Sequence, residues 1–194
     1  MVRPAPQPPT FEELYQQIQA LPEGVTGQIL VPGVLSTMSR PGRPHRKAAL
    51  VCSDALRARD RNRGGTGWWI EVEAEIAFPN GRLAVPDLAG WRVERVPELP
   101  DENPLTVLPD WCAEFLSLST TRQDRLLKLP MYATYGVEWT WIVDADLHTV
   151  EVYRARDGHA VLDVVAMDDA EVVLPPFDLP IALGAWWLPS PAAP

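Results

Sequence analysis

Three side chains stand out for what they could do together. Asp87 follows Pro86 inside the apolar run Leu83-Ala84-Val85-Pro86-Asp87-Leu88. Proline removes a ladder donor, so this strand end is irregular and its carboxylate can project at the tip. Glu114 is the only charge in the run Trp111 to Leu116, which reads as a strand buried on both faces. A buried carboxylate without a partner costs several kcal/mol or takes up a proton. Glu114 must therefore be hydrogen-bonded, ion-paired (an arginine being the common partner) or bound to a metal. Two carboxylates at neighbouring strand tips make an oxygen-rich nest for a hard divalent cation. Such a site can activate water and stabilise charge on a phosphodiester. Lys128, one turn beyond Asp124, could aim an ammonium at the same point and steady developing negative charge. The plainer alternative is an exposed helix lysine paired with Asp124.

The elements that must position these groups follow from spacing. Thr10 with Glu13 forms a capping box for a helix to Leu21, with Phe11, Leu14, Ile18 and Leu21 on one stripe. Gln28 to Leu35 reads as a short strand broken by Pro32-Gly33. A second helix is expected from Pro44 to about Arg61, closed by Gly64-Gly65. Trp68 to Phe78 alternates as one strand, Pro79-Asn80-Gly81 signals a hairpin turn, and Arg82 to Val93 is the next strand. Val96 to Thr106 is a proline-rich, acidic loop. Ser119 to Tyr135 is a helix in conflict with Pro130, which must kink or split it. Trp139 to Asp144 and Thr149 to Ala155 form a hairpin, a strand pair follows near Ala160 to Leu174, and a last segment runs to Leu188. A helix between the strands at 111–116 and 139–144 implies a crossover to a parallel strand. The fold class is α/β: a central mixed β-sheet flanked by helices.

The 194 residues, 46% hydrophobic and 22% charged, suit one globular domain over 10–188, with a disordered proline-rich tail at 1–9 and a C-terminal tail at 189–194. No apolar window is long enough for a transmembrane helix, and the proline-rich start is not a signal peptide. Two cysteines, Cys52 and Cys112, make a disulfide framework or a cysteine-rich zinc module untenable; a cytoplasmic chain with reduced thiols is expected. The net charge of −9 argues against non-specific coating of DNA. Yet Arg40, Arg43, Arg46, Lys47, Arg57, Arg59, Arg61 and Arg63 cluster against only Asp54 and Asp60. That segment is either a polyanion-binding face or a solvated helix and loop. The eight tryptophans are core filling or a stacking platform for nucleobases, and Trp186-Trp187 fits a core or an interface.

Pro86-Asp87-Leu88, the stretch Trp111 to Thr120, Asp124 to Lys128, Tyr132, Gly136-Val137, Trp141 to Asp144 and Val150 to Tyr153 stand in an order and spacing that resemble the Uma-type restriction endonuclease family. That family lies within the PD-(D/E)XK nuclease superfamily, and the resemblance spans roughly Phe11 to Trp187. It implies a restriction-endonuclease-like core and a Mg²⁺-dependent endonuclease acting on DNA phosphodiesters, with Mn²⁺ able to substitute. It further implies Asp87, Glu114 and the backbone carbonyl of Phe115 as metal ligands, and Asp87, Glu114 and Lys128 as catalytic residues. The superfamily's usual lysine stands two positions after the glutamate. Here Leu116 takes that place, and Lys128 on the following helix is the relocated amine. His45, Arg43, Arg46 and Gln28 are the implied substrate contacts, with His45 near a family histidine. Gln28 or Ile29 stands near a family glutamate, with a formal charge lost if Gln28 takes that place, and the family's Ser-Pro-Ser-Thr turn reads Ser117-Leu118-Ser119-Thr120. Glu73 and Glu75 either approach the metal or form the wet face of a hairpin. A homodimer suits enzymes that cut two strands. The other classes of reading are a catalytically silent relative that binds nucleic acid or a protein partner, and a purely structural or regulatory domain.

Overall fold

The computed structural model describes residues 7–38 and 41–189; most of the two expected tails, and Arg40, lie outside them. Helix α1 (Phe11–Gln19) starts where the capping box predicts: the Thr10 hydroxyl accepts from the Glu13 amide and the Glu13 carboxylate accepts from the Thr10 amide. Pro32-Gly33 is a turn, with Gly33 at φ +80°, joining β1 (Thr26–Val31) to β2 (Val34–Met38) as an antiparallel hairpin. Helix α2 (Arg43–Ala55) ends earlier than its composition suggests. Two short 3₁₀ turns, Arg57–Arg59 and Arg61–Arg63, carry the remaining arginines to Gly64.

The expected strand at 68–78 is two strands in two sheets. β3 (Trp68–Val72) pairs antiparallel with β6 (Leu88–Arg92), whereas β4 (Ile76–Phe78) pairs with β5 (Arg82–Ala84). Alternation continues through both, so the sequence pattern does not register the break. The break is made by Glu73, at φ +52°, and opposite it by Val85-Pro86-Asp87. The Glu73 amide donates to the Asp87 carbonyl at 3.2 Å, tying the two crossing points together. Asp87 thus sits where a ribbon passes from one sheet to the other.

The four-stranded sheet runs β2-β1-β5-β4. The six-stranded sheet runs β10-β9-β8-β7-β6-β3, with β7 (Trp111–Phe115), β8 (Trp139–Asp144), β9 (Thr149–Arg156) and β10 (His159–Met167). A small pair, β11 (Glu171–Val173) with β12 (Pro180–Ala182), packs beside it. β7 and β8 are parallel, as the crossover requires, and the other strand pairs of the large sheet are antiparallel.

β7 is buried along its whole length, and its alternation sorts the core. Trp111, Ala113 and Phe115 join the cluster of Trp141, Trp186, Phe177 and the α2 residues Ala48 and Cys52. Cys112 faces the opposite cluster, with Trp91, Met131 and Tyr132. Trp111, Trp141 and Phe177 meet edge to face at 5.0–5.5 Å. Seven tryptophans are buried and Trp69 is partly so, which identifies the tryptophans, Trp186-Trp187 included, as core and removes the base-stacking alternative. Among the described residues no helix is long and apolar enough to cross a membrane.

Candidate active site

Glu114 is 1% exposed, and both its oxygens are held. Lys128 Nζ donates to Oε2 at 2.7 Å and the Tyr132 hydroxyl donates to Oε1 at 2.6 Å. The partner anticipated for a buried carboxylate is therefore a lysine and a tyrosine, not an arginine. Burial pushes the Glu114 carboxyl up to about 8, the charges of Asp124 and Asp87 adding to the rise while Lys128 opposes it.

Lys128 comes from the crossover between β7 and β8, which is not one helix. It consists of α3 (Thr121–Gln123), a π-helical turn Asp124–Lys128, and α4 (Leu129–Thr134). Pro130 has no amide to donate one turn back, and the wider turn absorbs the mismatch. The wide turn buries both Asp124 and Lys128, at 2% and 1% exposure. Asp124 Oδ1 lies 3.2 Å from Nζ without a well-directed hydrogen bond, and Nζ also donates to the Val85 carbonyl at 3.3 Å. Burial works against the Lys128 charge, but Glu114, Asp124 and Asp87 over-compensate and raise its pKa above the ordinary lysine range. The exposed, singly paired lysine is thus excluded. Leu116 packs against Leu129 and Ile142, so the usual lysine position is an apolar one here.

Asp87 is half-buried and locked at both oxygens. The Phe115 amide donates to Oδ2 at 2.7 Å, and His45 Nε2 stands 3.1 Å from Oδ1. Burial alone would depress the His45 pKa; the hydrogen bond and charge of Asp87, then the Phe115 backbone and Asp124, reverse the sign and raise it. His45 arrives from the first turn of α2, on the sheet face opposite the crossover helix. Asp87, Glu114, Lys128 and His45 line one cleft of about 560 Å³.

A family model described as "Putative restriction endonuclease", Uma2, matches residues 11–184. The chain belongs to the Uma2 family. A crystal structure of "a putative nuclease belonging to DUF820" from Anabaena variabilis ATCC 29413 superposes with a TM-score of 0.72, at 22% identity, over 93% of this chain and 100% of that one. At that identity the likeness speaks to the nuclease fold. No curated protein matches the chain.

Within this Uma2 chain the candidate residues part company. Arg46 lines the cleft. Arg43 is exposed at the start of α2 and does not line it. Gln28 is not a substrate contact: it is fully buried, its carbonyl oxygen accepts from the Val85 amide at 3.2 Å and its amide donates to Met38 Sδ. It braces the chain just before Asp87. Glu73 lines the cleft, whereas Glu75 accepts from the Tyr15 hydroxyl at 2.7 Å and lies elsewhere. Most of the basic segment is spent locally. Arg57 and Arg63 pair with Asp54, Arg59 pairs with Asp178, Arg61 lies over Trp69, and Lys47 donates to the Trp187 carbonyl. Asp124 and Tyr132 are site residues that sequence reasoning did not place there.

Asp87, Glu114 and Asp124 crowd around one lysine, and burial keeps Glu114 largely protonated below about pH 8. Hard oxygens, a half-exposed Asp87 and an incompletely partnered Asp124 oxygen fit a divalent cation such as Mg²⁺, which needs only one or two carboxylates. Among the described residues no three His, Cys, Asp or Glu side chains already form a ready-made ligand cluster. The crowding has a thermodynamic consequence. Glu114 is raised from 4.5 to about 8, so its contribution favours folding below about pH 4.5 and is lost as pH rises through 8. His45 and Asp124, both raised, act in the same sense. The melting temperature in EDTA should fall by roughly 5–10 °C between pH 5 and pH 8.5. Glu114→Gln should flatten most of that fall in a thermal scan.

Proposed function

We propose that the protein is a metal-dependent endonuclease that hydrolyses DNA phosphodiester bonds in the cleft between α2 and the crossover helix. The observation that carries this reading is the 2.7 Å contact between Lys128 Nζ and Glu114 on the floor of a cleft that Asp87 also lines. Asp87, Glu114 and the Phe115 carbonyl would hold Mg²⁺, with Mn²⁺ able to substitute. When bound, that ion supplies Lewis-acid polarisation of the phosphate and a lowered pKa for the attacking water. The Phe115 amide and His45 fix the Asp87 carboxylate in one orientation. Tyr132 does the same for Glu114. Lys128 keeps its proton in a dry setting, where an ammonium stabilises charge on phosphorus-bound oxygens far better than in water. Arg46, which donates to the Pro41 carbonyl at 2.5 Å, is the exposed cation at the cleft that a phosphate would meet.

Purified protein should cut plasmid DNA with Mg²⁺ or Mn²⁺, and EDTA should stop it. Glu114→Gln, nearly isosteric and still able to accept from Tyr132, should lower the rate by about 10³ while the fold persists by circular dichroism. Both Glu114 oxygens are occupied, which also suits a catalytically silent relative. Retained DNA binding with no cleavage under either metal would select that second reading.

A further inference from the structure

One wall of the cleft is apolar and open to solvent. Leu50 on α2 and Val72 at the end of β3 both line it, at 65% and 63% exposure. Leu50 sits one turn beyond Arg46, so both project from the same side of α2. Leu118 is fully exposed in the loop between Ser117 and Thr120, two residues that line the cleft themselves. Large exposed apolar side chains gathered beside a charged floor mark a surface that meets something apolar.

The charges at this opening disfavour a long polyanion. Apart from the buried Lys128, Arg46 is the one lysine or arginine among the cleft-lining residues described, and Glu23 and Glu73 line the cleft with it. Among the described residues Lys47, Arg57, Arg59, Arg61 and Arg63 are tied down, Arg46 itself donates to the Pro41 carbonyl, and Arg43 is exposed. A duplex gripped through its backbone is held by several lysine and arginine contacts to phosphates, about 6–10 in strongly salt-dependent cases. A nucleobase, in contrast, is uncharged and presents a flat apolar face, but only once it has left the stack.

We infer that the cleft takes an unstacked nucleotide, its base against Leu50 and Val72 and its phosphate toward Arg46, so that the preferred substrate is single-stranded, gapped or flapped DNA. This rests on the nuclease reading and narrows its substrate class. Cavity volume agrees, since about 560 Å³ falls within the range of small-ligand pockets.

Fluorescence anisotropy in EDTA, with a short labelled single strand and the matching duplex, tests it. The single strand should bind at least about tenfold tighter, with a shallow salt slope of about −1 to −2. Leu50→Trp should tighten single-strand binding by offering a stacking face, and Leu50→Asp should weaken it about tenfold. Leu50 is exposed enough for both variants to fold. Equal or tighter duplex binding, or affinities indifferent to both Leu50 variants, overturns the inference. If Mg²⁺-dependent cleavage of duplex persists in that case, the nuclease reading survives. If the wild-type protein cuts no DNA of any form with Mg²⁺ or Mn²⁺, that underlying reading fails instead. Binding to neither oligonucleotide also overturns the inference.

Discussion

Lys128→Met should abolish detectable cleavage, a loss of at least about 10²–10³, and should also destabilise the protein. The side chain is 1% exposed and is the ammonium shared by Glu114 and Asp124. Methionine keeps much of the volume and removes the charge. Glu114 and Asp124 then remain buried without compensation, which costs about 3–5 kcal/mol. The loss should depend on pH. Glu114 already titrates near 8, and without the ammonium its carboxyl rises further. Below about pH 6 it is protonated and the variant recovers much of its stability; at pH 8.5 the deficit is near its largest. Urea denaturation at the two pH values, with single-turnover cleavage at each, measures both effects. A variant as stable as wild type at pH 8.5 would contradict the burial argument, and an active one would remove Lys128 from the chemistry.

Asp87→Asn should leave the fold nearly unchanged, because the asparagine oxygen still accepts from the Phe115 amide, yet it should lose cleavage by a comparable factor. It carries a second signature at His45. The raised pKa of that imidazole depends on the Asp87 hydrogen bond and charge acting against burial. With a neutral partner burial acts against fewer opposing causes, and the His45 pKa should drop. The chain has three histidines, so a proton NMR titration resolves it. An unshifted His45 would mean that the Asp87 contact does not govern that ring.

Much of this site is legible in the sequence because burial makes charge conspicuous. Glu114 declares itself as the single carboxylate in Trp-Cys-Ala-Glu-Phe, and Pro86 marks the irregular strand end that frees Asp87. The parallel β7–β8 pair follows from the helix between them. What escapes is set by contacts distant in sequence. Alternation runs through Glu73 without interruption, so the passage of the ribbon between sheets is invisible until Asp87 is seen bonded to it. Pro130 signals trouble but not its outcome, a π-helical turn that buries Asp124 beside Lys128. The arginines from 57 to 63 look like a phosphate-binding strip, because Asp54, Asp178 and Trp69 reach them only in three dimensions. Gln28 stands near a family glutamate by resemblance, yet its side-chain amide faces inward to Val85 and Met38.

Asp87 and Glu114 are proposed to hold one divalent cation jointly. Calorimetric titration of Mn²⁺ into the wild-type protein and into Asp87→Asn at pH 7.5–8, close to the midpoint of the Glu114 titration at about 8, tests it most directly. Saturable binding in the wild-type protein and its loss in the variant is the predicted result. No heat in the wild-type protein, or an undiminished isotherm in Asp87→Asn, would contradict it.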